Sequence, residues 1–185
     1  MQNTVIYLIG FAGTGKYTVA KELSKLNDFK IVHNHLVNDT VFDVLQKFEE
    51  DIPEYVWKQI SKVRNVVFNT IENYADKKLN FIFTNELVKQ RKSDVVLYKK
   101  VEKLALKRNS KFYPVRLIID SDEHKKRITA HERKLSNKIS NVDYVESLRG
   151  VELIEPKNKN LFDINVSNLS ATDSAKNIMK KIEEF

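Results

Sequence analysis

Residues 5–18 read Val5-Ile6-Tyr7-Leu8-Ile9-Gly10-Phe11-Ala12-Gly13-Thr14-Gly15-Lys16-Tyr17-Thr18: an apolar run, a glycine-rich turn, a lysine and the start of a helical pattern. Strand, glycine turn and helix in that order form the setting of a phosphate-binding loop. The spacing answers a physical demand. Glycines at 10, 13 and 15 let the backbone turn its N–H groups inward around a polyphosphate, and the following helix presents its positive end to the same anion. Lys16 then reaches the outer phosphates as a mobile point charge. Gly10, Phe11, Ala12, Gly13, Thr14, Gly15, Lys16, Tyr17 and Thr18 are therefore the expected nucleotide-binding residues. Tyr17 stands where a short hydroxyl usually meets Mg²⁺, so Thr18 with water, or nucleotide and carboxylates, must take over that contact.

Working outward, short β-rich runs fall at 4–9, 29–33, 80–85, 113–120 and 161–167. Helical patterns separate them: Val19, Leu23 and Leu26; Val56, Ile60, Val63, Val67, Ile71 and Tyr74; Leu97, Val101 and Leu104; Ala175, Ile178, Met179, Ile182 and Phe185. Alternating strands and helices predict a parallel α/β sheet covered on both faces. Ligands in such sheets sit outside the carboxyl ends of the strands, so the strand ends become candidate site positions.

The 185 residues suit one domain, residues 1–185, and contain no linker or repeat. Absence of cysteine removes disulfides, thiolate metal sites and cysteine nucleophiles. Without a basic segment before Thr4 or a cleavage site after Ala12, the first apolar run does not read as a leader. A soluble, cytoplasmic protein with no membrane partner is expected, as monomer or dimer. The net charge is +7, and residues 89–116 alone hold ten Lys/Arg against Asp94 and Glu102. A solvated lysine-rich helix face is the favoured reading of that zone, ahead of a nucleic-acid surface.

The second strand ends in His33-Asn34-His35-Leu36-Val37-Asn38-Asp39. His33, Asn34, His35, Asn38 and Asp39 could bind a polar acceptor, with His35 or Asp39 able to take a proton. Asn38 or Asp39 could equally cap the helix that follows. The third strand ends in Thr84-Asn85-Glu86. Glu86 is the nearest carboxylate for substrate or for Mg²⁺, with Asp120 after the fourth strand as its rival. Residues 121–140 are charged and weakly periodic, and read as a lid that would bring Arg127 and Arg133, with Lys134 or Lys138, to a transferring phosphoryl group. An exposed helix with paired charges is the alternative.

Together the loop, the Asn34-His35-Leu36 strand end and the Arg127/Arg133 segment resemble the small P-loop kinases of the shikimate kinase, gluconate kinase and chloramphenicol phosphotransferase group. Tyrosine after the loop lysine and Asn-His-Leu at the strand end also resemble a bacterial branch of AAA-type, kinase-like ATP-binding proteins. The segment from Glu86-Leu87 to Asp94 is similar to that after strand three of gluconate kinase. The resemblance implies a three-layer P-loop NTPase fold with five parallel strands in the order 2-3-1-4-5, a substrate-binding helical region after strand two, and an arginine lid after strand four. It further implies ATP with Mg²⁺ as cofactors, a small-molecule acceptor, and γ-phosphoryl transfer to a hydroxyl with Lys16, Arg127 and Arg133 as catalytic groups. The acid that shikimate kinase carries at the end of strand two is replaced here by Asn34 and His35. A kinase of 5′-hydroxyl nucleic-acid ends or nucleotides, and a nucleotide-binding switch without transfer, are the alternative functions.

Overall fold

The computed structural model describes residues 1–45, 52–130 and 139–185. Five strands, β1 (Thr4–Ile9), β2 (Phe29–His33), β3 (Asn80–Asn85), β4 (Lys111–Ile118) and β5 (Phe162–Asn165), form one sheet in the order β2-β3-β1-β4-β5. All four neighbouring pairs are parallel. Among the described residues the helices are α1 (Lys16–Asn27), α2 (Asn34–Phe42), α3 (Glu54–Asn73), α4 (Lys92–Lys107), α5 (Ser121–Ile128), α6 (Asp143–Ser147) and α7 (Ala171–Glu183).

The two faces follow from the pleat. Every residue of β1 is buried, and successive side chains point to opposite sides. Ile6 and Leu8 join Val19, Leu23, Ile178 and Ile182 under α1 and α7. Val5, Tyr7 and Ile9 join Phe81, Phe83, Val101 and Leu104 under α3 and α4. A smaller cluster of Val37, Val41, Val56 and Ile60 pins α2 to α3. Each such fully buried aliphatic contributes about 2 kcal/mol relative to exposure, so a continuous apolar central strand is the main anchor of the sheet.

Two expectations shift in detail. Leu26, Tyr74 and Phe185 are exposed rather than core, because α1 turns Val19, Ala20 and Leu23 inward while α3 ends at Asn73 and α7 at Glu183. The helix after β2 does not start with Asn38 or Asp39 as its cap. It begins at Asn34, and His33 caps it, its Nδ1 accepting the His35 N–H at 3.3 Å. The basic zone is mostly solvated: eight of its ten Lys/Arg are exposed, and only Arg108 and Arg116 are drawn in. Arg108 is 1 % exposed and donates to the carbonyls of Ala75 (3.1 Å) and Asp76 (2.8 Å), and to that of Ile71, closing the C-terminus of α3. Arg116 forms a two-pronged pair with Asp163 at 2.7 and 2.8 Å. Lys89 pairs with Glu152, Lys107 with Glu72, and Arg91 with Glu86. Apart from Arg108 and Arg116, the charge of the zone stays at the surface, part of it in ion pairs.

Candidate active site

The phosphate-binding loop joins the carboxyl end of β1 to α1. Gly13 and Gly15 have φ of +91° and +85°, conformations that side chains with a Cβ rarely adopt. These turns deliver the chain to Lys16, the first residue of α1, where no side chain caps the leading amides. A glycine-rich turn that runs into an uncapped, positive helix end fits a polyphosphate. The Lys16 ammonium lies within the loop, donating to the carbonyls of Gly10 (2.7 Å) and Phe11 (2.8 Å). The hydroxyl of buried Thr14 donates to Phe11 O at 3.0 Å and braces the turn.

Tyr17 stands on the first turn of α1. Its ring packs on His33 with centroids 4.4 Å apart, and Lys21 lies over its face at 5.1 Å. Thr18 is exposed on α1. Among the described residues no cluster of three His, Asp or Glu could enclose a metal ion.

Glu86 touches the loop, but not as a lone metal acid. Its Oε2 accepts the Ala12 N–H at 3.0 Å and the Tyr144 hydroxyl, while Oε1 meets Arg91 at 3.3 Å. Burial and the adjacent Glu86 charge push the Tyr144 phenol well above its ordinary range, so it remains a neutral donor. The rival Asp120 sits before α5, where its carboxylate is reached from Asn165 at 3.4 Å.

A cavity of about 980 Å³ runs from the loop to the ends of β2 and β3. Gly13, Gly15, Lys16, Tyr17 and Thr18 line one end, and Asn34, His35, Asn38, Asn85 and Glu86 line the other. Asp39 lies outside this lining and pairs with His35 at 3.3 Å. Sequence reasoning missed the residues that complete the wall: Trp57, Ser61 and Arg64 on α3, Arg91 just before α4, and Asp94 and Lys100 on it. Trp57, Ser61 and Arg64 recur at helical spacing beside the apolar stripe, which is the signal that could have found them.

Arg64 anchors a polar chain. Its guanidinium donates to Asn34 Oδ1 (3.3 Å) and Asn38 Oδ1 (3.1 Å). Asn85 Nδ2 donates to the same Asn34 oxygen at 2.8 Å, and the hydroxyl of Tyr7 donates to Asn85 Oδ1 at 3.0 Å. Burial lowers the Arg64 pKa, partly offset by Tyr7 and Asp94. Burial likewise raises the Asp94 carboxyl, against the Val88 N–H bonded to it and the nearby Arg91. Asp94 thus sits closer to neutral pH than a surface aspartate, a useful property for a group that exchanges protons.

Arg127, expected to face the phosphates, stands beside the loop with its Nη1 near Gly15. Its guanidinium also pairs with Glu123 at 2.8 Å and donates to the carbonyls of Val166 (2.7 Å) and Ser167 (3.2 Å). The helical part of the expected lid is docked rather than loosely held: His124 is 3 % exposed and Ile128 fully buried. Two apolar or ring faces one turn apart were too little signal in so charged a segment. Arg133, Lys134 and Lys138 lie outside the described residues.

The chain belongs to the AAA-domain family, whose profile matches residues 5–146. No curated protein matches its sequence. In fold it is similar to a candidate kinase from Chloroflexus aurantiacus, at 12 % identity and TM-score 0.67, covering 100 % of this chain and 98 % of that one. A gluconokinase from Sinorhizobium meliloti aligns at 9 % identity and TM-score 0.61, over 98 % of this chain and 93 % of that one. A shikimate kinase from Aquifex aeolicus aligns at 16 % identity and TM-score 0.54, over 98 % and 97 %. The expected P-loop kinase-like fold is thereby met, in strand order and across the chain.

Proposed function

We propose that this AAA-domain chain is an ATP-dependent phosphotransferase that moves the γ-phosphoryl group to a hydroxyl of a small molecule. The observation that carries the reading is the shared cavity: phosphate loop and polar strand ends face one space of about 980 Å³. Phosphoryl transfer needs little covalent chemistry from the protein. It needs donor and acceptor in line, positive charge on the migrating group and little water. The loop amides and Lys16 bind the β- and γ-phosphates, and Arg127 beside Gly15 adds charge at the same end. Asn34, Asn38, His35 and Arg64 orient the acceptor, and Glu86, Asp94 and His35 are the groups able to receive its proton.

ATP and Mg²⁺ fit the residues present in different ways. The loop fits a nucleoside triphosphate, while the donor set near it fits a cation held chiefly by phosphate oxygens and water, with Thr18 and Glu86 as the nearest side chains expected to help. Mg²⁺ supplies neutralisation of phosphate charge there. Arg108 is buried on backbone carbonyls, and Arg116, Lys89, Lys107 and Arg91 are each paired with a carboxylate of this chain, which lowers the charge a nucleic-acid end would meet and supports a small acceptor. No helix among the described residues is long and apolar enough to cross a membrane.

The test is incubation of the protein with ATP, Mg²⁺ and a metabolite mixture, followed by mass spectrometry. A metabolite that gains one phosphoryl group as ATP is consumed supports the reading. ATP binding with no phosphorylated metabolite and no turnover would favour a nucleotide-dependent switch.

A further inference from the structure

A loop with glycines at 10, 13 and 15 has many backbone conformations to lose, so a preformed phosphate cradle must be held from outside. In this chain the holding contacts converge on one residue, Ala12. From α5, His124 Nε2 lies 2.6 Å from the Ala12 carbonyl oxygen, a contact that places the ring proton on Nε2. From α6, the Tyr144 hydroxyl oxygen accepts the Ala12 N–H at 3.0 Å, shares that N–H with Glu86 Oε2 at 3.0 Å, and donates onward to the same carboxylate oxygen. The two rings meet edge to face, with centroids 6.2 Å apart and planes at 89°. An ion pair between Lys125 and Glu146 joins the same two helices. Beside this grip, a Cβ at Gly13 would stand 2.8 Å from Ile128 and 3.2 Å from His124, so α5 rests directly on the loop.

We propose that His124 and Tyr144 are positioning residues that act as one clamp on Ala12 and so set the loop's affinity for phosphate. Neither ring needs to touch the nucleotide. By fixing the carbonyl and the amide of Ala12, the pair fixes the peptide planes on both sides of it. Gly13 and Gly15 then remain in the left-handed conformations that aim the following amides. The inference rests on the phosphate-loop reading of the site, and it assigns a role to two side chains that the transfer chemistry itself leaves unused.

Calorimetric titration with AMPPNP, alongside thermal melting, tests the clamp on the full chain. His124→Leu should weaken AMPPNP binding about fivefold, the worth of one ordinary hydrogen bond, and Tyr144→Phe, which leaves the Ala12 N–H to a Glu86 carboxylate that has lost its own phenol donor, by a similar factor, each with little change in Tm. His124→Gln carries an N–H to the Nε2 position and should restore affinity. Because a clamp is lost when either jaw opens, the double variant should bind about as weakly as the weaker single one rather than by the product of the two losses. Wild-type affinity in both single variants, independent losses that multiply, or a His124→Gln variant as weak as His124→Leu would overturn the proposal. Should His124→Leu fail to fold, Tyr144→Phe carries the test through amide exchange without ligand: faster exchange at Ala12, Gly13 and Gly15 supports the clamp, and unchanged exchange refutes it. That exchange measurement stands even if the wild type binds no AMPPNP, a result that would instead refute the proposed function.

Discussion

Tyr7, fully buried in the central strand, donates its hydroxyl to Asn85 Oδ1 at the end of the neighbouring strand, 3.0 Å away. Through Asn85 and Asn34 this bond reaches Arg64 in the cavity wall. A residue that packs like core therefore orders polar groups at the acceptor end. Tyr7→Phe keeps the ring, which stacks on Tyr98, and deletes the donor. Chemical denaturation should show a loss of about 1–2 kcal/mol, since Asn85 Oδ1 is left buried without its partner. Equal or higher stability would show that the chain of bonds is idle.

Arg64→Leu separates the two ends of the cavity. The loop does not touch Arg64, so the Kd for ATP should stay within about threefold, while transfer should fall at least about tenfold as the acceptor loses its orienting charge. Parallel titration and turnover measurements check the split. A variant with full turnover would remove Arg64 from the acceptor site.

Gly13→Ala probes the contact of loop and α5. A Cβ at φ +91° is strained, and it would meet Ile128 Cδ1 at 2.8 Å. We expect a loss of about 1–3 kcal/mol in stability together with much weaker ATP binding. Retention of both would mean that the loop and α5 can separate freely.

Tyr17→Thr restores a short hydroxyl after the lysine. The Tyr17 ring is 42 % exposed and touches His33 and Lys21, so ATP binding should persist. The Mg²⁺ concentration for half-maximal turnover should fall, because the new hydroxyl can serve the cation. A rise in that concentration, or a structure with the wild-type phenol oxygen on Mg²⁺, would contradict this role.

The fold was legible because its signals are local: the β1 run, the loop glycines and the alternation of strand and helix fix a parallel sheet without long-range information. The phosphate end of the site was legible for the same reason. The acceptor end was only half visible. Asn34, His35, Asn38 and Glu86 stand at strand ends where an open sheet places ligands, whereas Arg64 and Trp57 reach the cavity from α3, and Tyr7 reaches it from inside the core. Tyr144 and His124 were hidden more deeply, since their partner Ala12 is distant in sequence and both contacts go to backbone. In the basic zone, composition gave no sign that Arg108 and Arg116 are drawn in by partners on other elements.

The most direct measurement of the central claim is phosphoryl transfer from γ-labelled ATP to a metabolite mixture, comparing wild type with Lys16→Ala. Lys16 supplies the loop's own ammonium for the outer phosphates, and its side chain is not part of the core. The account predicts a labelled small-molecule product from the wild type and a rate at least about tenfold lower from a Lys16→Ala protein that melts normally. Equal label from both proteins, or none from a wild type that binds ATP, would contradict it.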